Sequence, residues 1–179
     1  MQGFGPVVAP PLNMKRLEVA MESRAKLFGH PIHQMLVVFP FGLLVMAAVF
    51  DLIALGTGRA YWSEIAYWMI AAGVVTGLMA APFGLIDWMA IPWNTRAKRI
   101  GAVHGLGNLA VVLLFAGSWL LRDPAARPPA AAELTLSFAG GALLLVTGWL
   151  GGELVDRLAV GVDEGAHVNA PSSLRSRRA

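Results

Sequence analysis

Cysteine is absent from the 179 residues, which excludes disulfides, thiolate metal sites and cysteine nucleophiles. Charge is scarce: Asp, Glu, Lys and Arg make up 14% of the chain, against about a quarter in an ordinary soluble domain. That scarcity excludes a disordered chain, which needs low hydrophobicity and abundant charge. Catalytic signatures are missing too. The sequence contains no P-loop, no GxGxxG after a strand, no HExxH and no GxSxG, and its serines and histidines form no arguable triad. Residues 1–29 hold no apolar run that reads as a cleavable signal peptide.

What is present is apolar. Hydrophobic residues reach 56%, and the mean hydropathy is +0.61. A membrane span takes about 20 mostly apolar residues. Four blocks meet that demand: Gln34–Leu55, Ile65–Ile86, Gly101–Leu121 and Leu134–Gly152. None alternates with period two, and backbone groups in lipid must bond within their own segment, so all four read as helices. The connections are short: Thr57-Gly58-Arg59, Pro92-Trp93-Asn94 and the proline-rich Asp123–Pro129. Short connections force antiparallel neighbours. The expected fold is all-α, an integral membrane four-helix up-down-up-down bundle with a short N-terminal amphipathic helix. Gly73 and Gly77, Gly101 and Gly105, and Gly148 and Gly152 form small-xxx-small pairs suited to close helix packing. Pro40 and Pro82 predict kinks.

The domain reading is a cytoplasmic tail over 1–29, a bundle over 30–158 and a flexible cytoplasmic tail over 159–179. Met1–Asn13 is Gly- and Pro-rich and reads as disordered, as does Gly165–Ala179. Met14–Phe28 carries Leu17, Met21 and Phe28 among charges and reads either as an interfacial helix or as a solvated lead-in. Eleven Lys and Arg residues fall on the side of the termini and the second loop, and three (Arg59, Arg122 and Arg127) on the other. The positive-inside rule then puts both termini of the multi-pass chain in the cytoplasm. The net charge of +3 sits in short flanks around apolar blocks, so it points to anionic headgroups and not to nucleic acid. The two halves show no convincing self-similarity beyond their helix pairs. Most tryptophans fall near span boundaries, as belt residues do.

An up-down bundle gathers the polar residues at one end. His30 and His33 stand at the entrance of the first span, Asp87 at the exit of the second, His104 in the first turn of the third, and Glu153 and Asp156 at the exit of the fourth. His30 and His33 are three apart, and Pro31 suits an early helical position. Three imidazoles and several carboxylates at one bundle end suggest a site for iron, zinc or copper, or for haem iron. The candidate cofactor ligands are His30, His33 and His104, and a non-haem metal adds Asp87 and Glu153. Arg96, Lys98 and Arg99 would meet haem propionates. The plain alternative is boundary chemistry: Glu153 pairing with Arg157, and Asp87 capping a helix or pairing with Arg96 or Lys98. On the opposite side, Asp51 lies deep enough in the first span to be partly buried, or reads as a helix-end carboxylate snorkelling to water. His167 reads as solvated.

Several motifs in order resemble a bacterial four-helix membrane family, the domain of unknown function 2231. They are Gly29-His30-Pro31-Ile32-His33 with Pro40 and Gly42, Phe50-Asp51, Gly84-Leu85-Ile86-Asp87-Trp88, His104 with Asn108, and Gly148-Trp149-Leu150-Gly151-Gly152-Glu153. The resemblance covers roughly residues 27–162. It implies a four-span inner-membrane protein. Some relatives carry a fused Rieske domain, which implies electron transfer and a haem b or another redox metal on the histidines. Two positions depart from the family pattern. Gln34 follows His33 where a proline is common, and Asp156 and Leu158 stand where Tyr and His are common. If that missing His is a ligand, His33 or His30 with His104 must suffice. Three functions follow as expectations: a redox or accessory membrane protein with a haem or metal, a proton- or ion-permeating bundle using Asp51, Asp87 and Glu153, or a scaffold. The expected partners are the lipid bilayer, a redox protein and, as an open alternative, further copies of the chain.

Overall fold

The computed structural model describes residues 20–123 and 129–174. The expected disorder of Met1–Asn13, most of the Asp123–Pro129 loop and the basic residues 175–178 lie outside these. Two residue pairs, β1 (Lys26–Leu27) and β2 (His30–Pro31), form an antiparallel hairpin. Five helices follow: α1 (Ile32–Leu36), α2 (Val38–Thr57), α3 (Ala60–Ala90), α4 (Arg96–Leu121) and α5 (Ala131–Gly152). A π-helical turn, Glu153–Arg157, ends the bundle.

Four segments are long and apolar enough to cross a membrane: Ile32–Thr57, Ala60–Ala90, Arg96–Leu121 and Ala131–Arg157. Local chemistry sets their limits. Pro40 lacks the N–H that would bond the Leu36 carbonyl, and α1 gives way to α2 there, at Val37. Gly58 closes α2 in the left-handed region, with φ 65°. Pro92 biases Ile91 to the extended conformation that ends α3. The Thr95 hydroxyl accepts the Lys98 N–H and starts α4. The Glu133 carboxylate accepts the Ala130 N–H at 2.6 Å and starts α5.

The helices pair as two tight hairpins, α2 with α3 and α4 with α5, joined by thinner seams. Leu44, Ala47, Ile70, Val74, Val111, Phe115 and Leu144 make the central apolar core. Glycines set the approach. A Cβ on Gly73 would fall 2.5 Å from Leu44, and one on Gly140 would fall 2.9 Å from Phe115. Of the expected glycine pairs, Gly73, Gly101 and Gly148 are packed against side chains, while Gly105 and Gly152 face open space. At most 28% of any span's most apolar window is buried inside the chain. Much of the remainder is exposed, including Leu52, Leu78, Leu113 and Leu145, the arrangement of a bundle whose solvent is hydrocarbon.

Residues 20–31 correct the expectation of an amphipathic helix. Its first six residues, 14–19, lie outside the described ones, and the remainder holds a bend, a short strand and the start of a turn but no helix. Phe28 and Gly29 take φ of 50° and 85° in the turn between β1 and β2, and Pro31 sits extended before α1. His30 therefore belongs to a strand and shares no helical face with His33. The Met21 N–H donates to the Ala159 carbonyl, and the Gly161 N–H donates to Met21. This ties the segment before the first span to the segment after the last.

Candidate functional site

His33 and His104 meet at the end of the bundle where α2 is entered and α5 is left. Their ring centroids are 6.4 Å apart, edge to face. Each ring is anchored within its own hairpin. His33 Nδ1 lies 3.1 Å from the Ala80 carbonyl of α3, and His104 Nδ1 lies 2.9 Å from the Thr147 carbonyl of α5. A carbonyl only accepts, so Nδ1 carries the proton on both rings. In the neutral imidazoles both Nε2 atoms then keep a lone pair. Asn108, one turn along α4, donates its amide to His104 Nε2 at 3.0 Å. His33 Nε2 takes no hydrogen bond among the described residues. Two glycines make room: a Cβ on Gly84 would lie 2.8 Å from the His33 ring, and one on Gly151 would lie 3.1 Å from His104. The glycines of the Gly84–Trp88 and Gly148–Glu153 motifs are thus the seats of the imidazoles.

The other expected ligands are engaged elsewhere at the same end. Asp87 accepts the Ser23 hydroxyl at 2.8 Å and the Arg24 N–H at 2.8 Å, so it clasps the incoming chain rather than pairing with Arg96 or Lys98. Glu153 pairs with Arg96 at 2.6 Å rather than with Arg157. His30 lies exposed, 3.3 Å from the Ser173 hydroxyl. Lys98 is 5% exposed. It donates to the Trp88 carbonyl at 2.8 Å, and its ammonium sits 4.0 Å from the Trp88 ring and 4.3 Å from that of Trp93. A cation so enclosed cannot meet a propionate, and two of the boundary tryptophans serve it. Among the described residues no three His, Asp or Glu side chains come together as a metal-holding group. An open groove of about 300 Å³ is lined by Trp149, Gly152, Glu153, Asp156 and Arg157, not by either imidazole.

The opposite end holds a second polar centre. Asp51 is fully buried instead of reaching water. Arg122 grips it with both guanidinium nitrogens, at 2.6 and 2.7 Å, and Ser137 donates at 2.8 Å. Ser118 accepts from Arg122 and donates to the Glu133 carbonyl at 2.7 Å. Two buried polar atoms, Ser63 Oγ and Trp119 Nε1, take no partner among the described residues. Sequence reasoning counted Arg122 only as a loop charge. The signal that it stands as far beyond His104 as Asp51 stands beyond His33 was available and unused.

A family model described as "Predicted membrane protein (DUF2231)" matches residues 29–164, which include His33, His104, Asp51 and Arg122. No curated protein and no solved structure matches the chain.

Proposed function

The chain belongs to the DUF2231 family of predicted membrane proteins, and from that premise we propose that it holds a transition-metal centre between His33 and His104, with a redox or accessory role. The observation that carries this reading is the paired anchoring: both Nδ1–H groups are spent on backbone carbonyls. Metal-ligating histidines are oriented in the same way. The set of protein donors shrinks from five to two, because His30, Asp87 and Glu153 are committed to other partners. Two imidazoles are as many protein donors as a haem iron would take, and they fall short of the three or four donors of a protein-only zinc or iron site. Bound haem would supply one-electron transfer. The chain's part is to hold the rings: the Ala80 and Thr147 carbonyls fix their tautomer, Gly84 and Gly151 admit them, and Asn108 must yield His104 Nε2. The charge bias of the flanks supports a cytoplasmic position for this end.

The ion-path reading has less support. Seven packed apolar residues lie between the two polar ends. Asp51 and Asp87 are both satisfied by local donors. Purification in mild detergent, followed by a visible spectrum and metal analysis, tests the proposal. A Soret band, or one equivalent of iron, zinc or copper without it, supports the centre. H33A and H104A should each abolish it, and H30A should keep it. A colourless, metal-free protein from cells supplied with iron and haem precursor would overturn the reading and leave the scaffold.

A further inference from the structure

We infer that the chain is a tandem repeat of one helical hairpin, whose halves face each other across a two-fold axis parallel to the helices, and that Asp51 and Arg122 specify this pairing. The sequence showed no convincing self-similarity, but the burial pattern does. In α2 the buried residues are Pro40, Leu44, Ala47, Asp51 and Ala54. Adding 71 to the first four gives Val111, Phe115, Ser118 and Arg122, all buried. The same shift turns His33 into His104.

The second helices of the two hairpins agree at a shift of 67. Ala66, Ile70, Gly73 and Ala80 of α3 become Glu133, Ser137, Gly140 and Thr147 of α5, again all buried. Contacts repeat along with burial. Leu44 rests on Gly73 as Phe115 rests on Gly140. His33 bonds the carbonyl of Ala80 and sits on Gly84; His104 bonds that of Thr147 and sits on Gly151. In each hairpin the acceptor precedes the glycine by four residues, one helical turn. His33 and His104, Gly73 and Gly140, and Gly84 and Gly151 are identical across the shifts, while the other paired residue types have diverged, so burial and contacts carry most of the relation.

The axis is therefore crossed twice by equivalent positions. At one end two imidazoles meet, and at the other a carboxylate meets a guanidinium. Identical charges at this repeated position would repel. Opposite charges let the first hairpin accept the second and disfavour a second copy of itself. Ser137 and Ser118 flank the pair, and a hydroxyl can donate or accept, so either arrangement of the charges can be satisfied.

Charge and core exchanges in the full chain test the equivalence, read as folded monodisperse protein and thermal midpoint in detergent. D51R and R122D each place like charges on the axis and should cut recovery by about tenfold or more. The exchange D51R/R122D should restore most of it. L44F overpacks and F115L leaves a void, so each should lower the midpoint, and L44F/F115L should regain it. No ligand enters these measurements, so they stand apart from the fate of the two-imidazole centre. Rescue in either pair supports the equivalence. If neither double variant outperforms its worse single, the repeat and its specifying pair are refuted.

Discussion

Removing Arg122 from beneath Asp51 should be among the most damaging single changes in the bundle. The Asp51 carboxylate is fully buried and the Arg122 side chain is 4% exposed. In R122M the methionine fills most of the space of the arginine stem, but Asp51 keeps only the Ser137 hydroxyl. Breaking a buried pair on one side costs about 3–5 kcal/mol, because the remaining charge loses its compensation. For a chain of this size each kcal/mol is worth about 2–4 °C, so the midpoint should fall by roughly 6 to 20 °C. The double variant D51L/R122M removes both charges and should fall much less than either single, since a buried pair replaced by apolar groups is often near neutral. Thermal unfolding followed by circular dichroism in one detergent measures all four proteins. Losses below about 1 kcal/mol for R122M, the range of an exposed pair, would refute the argument. So would a double variant whose loss equals the sum of the singles.

Three further outcomes follow from other contacts. In G84A the new methyl would lie 2.8 Å from the His33 ring, so metal or haem retention should drop at least tenfold, while G105A, facing open space, should leave it unchanged. In D87A the carboxylate that holds Ser23 and Arg24 is lost, and residues 20–31 should exchange amide hydrogens and be cut by protease faster, with the spans unaffected. A phosphatase reporter fused after Ala179 should stay inactive and a cytoplasmic one should fluoresce; the reverse would overturn the orientation.

The spans could be read from sequence because hydrocarbon thickness imposes one length on every crossing segment. The kink near Pro40 could be read because a missing N–H acts locally. The polar contacts could not. Asp87 chose Ser23 and Arg24 over the nearer cations because the chain folds back as a hairpin at Phe28 and Gly29, where backbone φ is positive. The burial of Asp51 was open between two readings because its partner is 71 residues away in another helix. The imidazole pair was half visible: topology put His33 and His104 at one end, but only the carbonyls of Ala80 and Thr147 show which nitrogen each ring presents.

The main-chain bonds between Met21 and the Ala159–Gly161 segment also bear on how the molecule is made. Met21 leaves the ribosome before any span, and Gly161 leaves after all four. Their junction cannot form until insertion of the bundle is finished. A polypeptide halted after the third crossing would leave the Met21 amide and carbonyl without these two partners, so the seam closes only on a finished molecule.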